Sequence, residues 1–219
     1  AYGKPVTFRP FINAYQYMKY DADKNEYSNR SIIFKSWKDE AIDAKGGVRC
    51  GKIPAKELAN LSEEERAKQK AIKCYRLIYG LVSFDGVLPG GADAHVSNLP
   101  VLWKVTGSNF KPVGEAIESL RRRGKVMFNH TLTLKTKKKK AGSNVFYVSD
   151  ITVDKDEVSF TDTEKETLLS FQETINTENE EIVELWRQAK KAEPVVVKAN
   201  EAKAVDAELE DDPIEVLSS

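Results

Sequence analysis

The sequence predicts an α+β fold built on a mainly antiparallel sheet. β-branched and aromatic runs recur at 14–20, 30–37, 73–84, 100–107, 125–136 and 144–153. Turn-rich polar segments separate most of them, and two longer helical patterns come after most of the strands. A five-stranded OB-like β-barrel and a flatter sheet backed by helices both fit this strand count.

In AYQYMKY (14–20), alternation places Tyr15, Tyr17 and Lys19 on one face and Gln16, Met18 and Tyr20 on the other. DADKNE reads as a turn, RSIIFKSW (30–37) as the second strand, and KGGVRCGKIP as a loop. Ser62 with Glu65 forms a capping box that opens a short helix over 62–72. KCYRLIYGLVSF (73–84) is the strongest strand, DGVLPGGADAHVSN the longest loop, and PVLWKVTG (100–107) a further strand. SNFKPVGEAIESLRRRG reads as a helix with Ser108 or Asn109 as cap, Pro112 in its first turns and Gly124 as its stop. KVMFNHTLTLKT (125–136) and NVFYVSDITV (144–153) then form a hairpin with the lysine run at its tip. A helix over about 162–192 follows, opened by Thr161–Glu164 or Thr163–Glu166. Its broken apolar stripe comprises Leu168, Phe171, Ile175, Ile182, Leu185 and Trp186. The Ala-, Val- and acid-rich remainder, 193–219, reads as a disordered acidic tail. The body, 1–192, is one β-rich domain.

At 219 residues, 41 % hydrophobic and 31 % charged, the chain can bury a core yet remains polar. No run reaches the roughly 20 apolar residues of a membrane helix. The N-terminus lacks the apolar core of a signal peptide. Cys50 and Cys74 stand far apart and form neither a disulfide framework nor a zinc site, so a reducing, intracellular compartment is expected.

Net charge is zero but unevenly spread. From Glu201 onward seven acids face one base, Lys203, for a charge of −6, so residues 1–200 carry +6. Arg121 to Gly142 holds nine Arg and Lys and no acid. Such asymmetry points to an anionic partner.

Catalytic and ligand motifs fail their context tests. GGVRCGK has phosphate-loop spacing, but Ile53 stands where Ser or Thr would hold Mg²⁺, and no buried strand precedes it. DADKN begins like a calcium loop, but Glu26 and Ile32 occupy the positions of its Gly and Glu. His95 and His130 lie in different elements, and His130 reads as a packed sheet histidine. No cofactor, no metal and no enzymatic activity are expected.

Three features favour nucleic acid. Arg121, Arg122, Arg123 and Lys125 end one helix, and Lys135 with Lys137, Lys138, Lys139 and Lys140 sits in the adjoining hairpin. Such side chains neutralise phosphates and release counterions. Strand aromatics offer stacking platforms for single-stranded bases, with Tyr15, Tyr17 and either Phe146 or Tyr147 expected to be exposed. Opposite Val126, Phe128, Leu132 and Leu134, the hairpin carries Lys125, Asn129, Thr131, Thr133 and Lys135. Arg49 and Lys52 are further candidates for backbone phosphates. Third, the tail residues Glu208, Glu210, Asp211, Asp212, Ile214 and Glu215 combine acids with short apolar side chains. They are expected to occupy the basic surface in the absence of DNA and to recruit partner proteins.

A basic β-domain ending in an acidic tail resembles replicative single-stranded DNA-binding proteins of bacteria and lytic bacteriophages. LPVLWKVTGSNFKPVGEAIESLRRRGKVMFNHTLTL is similar to small single-stranded DNA-binding proteins of tailed phages, over roughly residues 75–190. The resemblance implies non-specific binding in phage DNA replication and recombination, in the cytoplasm of an infected bacterial host. The usual tail ends in acids followed by a terminal Phe, whereas this one ends DDPIEVLSS, which weakens the carry-over of the usual docking partners; the groove-blocking role needs only the charge. A homo-oligomer is compatible with this reading. So are two other classes: a phage transcription cofactor that binds RNA polymerase and single-stranded DNA, and an inhibitory or structural protein whose tail mimics DNA.

Overall fold

A computed structural model describes residues 2, 3, 6–36, 39–54 and 56–192. Trp37, expected to end the second strand, and the whole acidic tail lie outside the described residues. Seven strands form one antiparallel sheet: β1 (Tyr2–Gly3), β2 (Val6–Asp21), β3 (Glu26–Arg30), β4 (Ile72–Val87), β5 (Asp93–Val105), β6 (Leu132–Ala141) and β7 (Asn144–Val153). The helices are α1 (Glu63–Lys70), α2 (Phe110–Arg122) and α3 (Asp162–Ala192). The sheet is open: β5 pairs with β4, β4 with β1 and β2, and the other edge of β2 divides between β6 at its start and β3 at its end. The α+β reading with a long C-terminal helix therefore holds, in its open-sheet form rather than as a closed OB-like barrel.

β2 and β4 form the centre, each 16 residues long. Their register shifts between Pro10 and Ile12, leaving Phe11 as an extra residue. The shift changes which side chains share a face. Before it, Phe8 points to the α2 side, packing with Val113, Ile117 and Leu132. Beyond it, Ala14 and Met18 point to the α3 side, where they meet Ile175 together with Tyr75, Leu77 and Tyr79 of β4. Gly80 lies opposite the irregularity, and a Cβ there would stand 2.2 Å from the Arg9 carbonyl oxygen. Only glycine allows that approach.

α3 lies against one face of the sheet and is anchored by polar contacts as well as by its apolar stripe. Thr161 and Glu164 form a reciprocal capping box at its start. The Glu164 carboxylate also takes Arg9 Nη1 at 2.5 Å. Arg9 is buried, and it further donates to the carbonyls of Phe128, Val158 and Ser159. Further along, Asn179 accepts from the Ile33 amide and donates to the Ile33 carbonyl, as a neighbouring strand would. Gln16 donates to Glu178, and Arg30 pairs with Glu178 and Glu181. Glu173, Glu180 and Glu184 face outward.

Several boundaries differ from the sequence expectation. The second strand is Glu26–Arg30, and beyond it Phe34 meets Tyr15 of β2 through a single isolated bridge. DGVLPGGADAHVSN is not a loop: β4 runs to Val87 and β5 starts at Asp93, around a short turn. Its Gly, Pro and Asp hide strand character that pairing along β4 supplies. Residues 125–131 are not strand, since Met127–Asn129 forms a 3₁₀ turn that presents the Phe128 carbonyl to Arg9. Asn109 precedes α2 without capping it, and its Oδ1 instead accepts from the Ser149 amide and hydroxyl. Ser62 and Glu65 form the predicted capping box of α1.

Candidate nucleic-acid interface

The lysine run is not a turn. Lys137, Lys138, Lys139 and Lys140 lie within β6, paired with Val148, Tyr147, Phe146 and Val145 of β7. The loop is Gly142–Ser143, with Gly142 at φ +61 in the first loop position of a two-residue hairpin. The sequence placed the turn too early because lysine has weak strand propensity and β7 supplies the pairing.

Paired residues share a face, so register decides which aromatic accompanies which lysines. Phe146 stands with Lys135, Lys137 and Lys139; Tyr147 and Val145 stand with Lys138 and Lys140. Tyr147 is 59 % exposed and Phe146 is half-buried, so Tyr147 is the available ring. β2 pairs with β6 only through Leu132–Leu134. From Lys135 onward the outer edge of β6 has no strand partner among the described residues. All five lysines are exposed, and none makes an ion pair among the described residues. Lysine on an unpaired edge also blocks strand addition. The ribbon therefore presents a row of unneutralised positive charge on each face, with the exposed Tyr147 ring on the face of Lys138 and Lys140.

Other predicted residues are placed differently. Tyr15 and Tyr17, expected to be exposed, are 7 % and 5 % accessible. They pack with Phe34, Ala41, Cys50 and Ile72 in a core cluster on the α2 side, and Tyr17 stacks on Phe34 at 5.7 Å. No base can reach between those rings. Arg49 and Lys52 cover the Tyr17 ring at 5.6 and 5.8 Å. Arg49 also donates to the Asp39 carbonyl and Lys52 to the Ile72 carbonyl. The glycine-rich loop is thus built into the body beside β2.

Of the basic helix end, Arg121 is held by Glu118 at 2.6 Å and Lys125 pairs with Glu157. The Lys125 hydrogen bond holds the Glu157 carboxyl below its ordinary range. Arg122 and Arg123 are exposed and make no ion pair among the described residues. Arg121 and Arg122 line an open groove of about 860 Å³ between α2 and the β2–β4 face, together with Lys35, Arg76, Lys111, Tyr15 and Phe110. None of the β6 lysines lines this groove. The tail residues 208–215 lie outside the described residues.

Burial pushes the thiols of Cys50 and Cys74 up to about 12, which keeps both protonated and non-nucleophilic at neutral pH. Among the described residues no group of three or more His, Cys, Asp or Glu side chains is placed to hold a metal ion. No helix among them is long and apolar enough to cross a membrane. No family model, curated protein or solved structure matches the chain.

Proposed function

We propose that this protein binds single-stranded DNA without sequence preference, serving phage DNA replication and recombination. The observation that carries the reading is the β6–β7 ribbon: five exposed lysines with no ion-pair partner among the described residues, and the exposed Tyr147 directly opposite Lys138. Lysine ammonium groups supply sequence-independent affinity by releasing counterions. An exposed ring stacks with any base that is free of a partner strand, which favours single strands over duplex. The −6 tail then competes with DNA for the ribbon by charge alone and recruits partner proteins once displaced.

Stacking and charge are separable by experiment. Tyr147 is exposed, so Tyr147→Ala leaves the core intact. Loss of one stacking platform is worth about 1–3 kcal/mol per base. The variant is expected to bind oligo-dT about five- to a hundredfold more weakly than wild type, with duplex affinity unchanged. Equal losses for both substrates in fluorescence anisotropy would remove stacking from the account.

A further inference from the structure

We propose that the groove between α2 and the β2–β4 face is a phosphate-binding site with Arg76 as its floor.

Arg76 is 8 % exposed, and its guanidinium packs against the neighbouring rings of Tyr15 and Phe110, 4.9 Å from each centroid. Among the described residues it makes one hydrogen bond, from Nη1 to Asn13 Oδ1 at 2.9 Å, and Nε has no hydrogen-bond partner. No carboxylate pairs with it among the described residues. Elsewhere the fold treats a buried arginine differently, since Arg9 is saturated by Glu164 and three carbonyls. A guanidinium withdrawn from water without a paired counter-ion is costly, and an anion in the groove lowers that cost.

The surroundings suit a phosphate. Lys35, Lys111, Arg121 and Arg122 join Arg76 along the walls, against the carboxylates of Glu115 and Glu118. Five cations against two carboxylates leave three positive charges. Both carboxylates are already engaged, Glu115 by Lys111 at 3.7 Å and Glu118 by Arg121 at 2.6 Å. Lys35 and Arg122 have no ion pair among the described residues and can close over a ligand. Gly114 makes room: a Cβ there would stand 2.5 Å from Arg76 Nη2. The planar fork of arginine matches two phosphate oxygens. Because Arg76 is recessed, a terminal phosphate reaches it more readily than one inside a continuous strand.

Thermal unfolding of the full chain in inorganic phosphate, against chloride at equal ionic strength, tests the site. The midpoint is expected to rise and saturate with phosphate. The rise should be absent in Arg76→Met and retained when Lys137–Lys140 are all alanine. Lys35→Ala with Arg122→Ala changes only the rim and spares folding; its half-saturation should weaken about fivefold or more. No saturable rise in wild type, or an unchanged half-saturation in the rim variant, would overturn the proposal. Oligo-dT with a 5′-phosphate, compared with a 5′-hydroxyl, then names the source. A preference that disappears in Arg76→Met assigns a strand end, and phosphate stabilisation with no such preference assigns a free phosphate compound.

Discussion

Arg9→Met is expected to destabilise the fold by about 3–5 kcal/mol, the usual cost of breaking a buried ion pair from one side. Arg9 joins β2 to the 3₁₀ turn at Phe128, the segment at Val158–Ser159 and the first turn of α3. Methionine keeps most of the volume but leaves three carbonyls without their Arg9 donor. It also strands the Glu164 carboxylate, whose side chain is only 13 % exposed. Adding Glu164→Gln should recover part of the loss, because a neutral amide costs less to bury and still completes the capping box with Thr161. Urea denaturation measures both variants. A loss below about 1 kcal/mol for Arg9→Met would mean that the Arg9–Glu164 pair contributes little to holding the start of α3.

Replacing Lys137–Lys140 by alanine is expected to produce the largest change in DNA binding. Alternation puts Lys137 and Lys139 on one face of the ribbon and Lys138 and Lys140 on the other. A strand of DNA lying on one face touches two of them, whereas one running along the free edge of β6 reaches all four. Each lost phosphate contact removes about 0.7 from the slope of log K against log salt for single strands. The slope should therefore flatten by about 1.4 in the first geometry and about 2.8 in the second. At ~50 mM salt this corresponds to roughly 10²-fold or more than 10³-fold weaker binding, with the gap closing as salt rises. An unchanged slope would leave the lysines as protection for an exposed strand edge.

Much of the architecture was legible in local patterns. The capping boxes at Ser62–Glu65 and Thr161–Glu164 opened helices where they were expected, and Gly124, at φ +67, follows the end of α2. What the sequence could not show depends on register and on long-range partners. The extra residue at Phe11 decides which β2 side chains meet α2 and which meet α3, and nothing local marks it. Tyr15 and Tyr17 looked like stacking platforms because alternation gives a face but not what covers it. Phe34 and Phe110 cover that face, together with the Arg49–Lys52 loop. The same limit concealed the groove, since Arg76 reads as one basic residue inside an apolar strand until Tyr15, Phe110 and Gly114 converge on it. The lysines were legible as a charge cluster but not as a strand, because their pairing comes from β7.

The most direct test of the central claim is an anisotropy titration of the wild-type protein with oligo-dT and with duplex of equal length, at several salt concentrations. The account predicts tighter binding to oligo-dT than to duplex and a log–log salt dependence that is linear and negative. Binding to neither substrate at about 50 mM salt would contradict it.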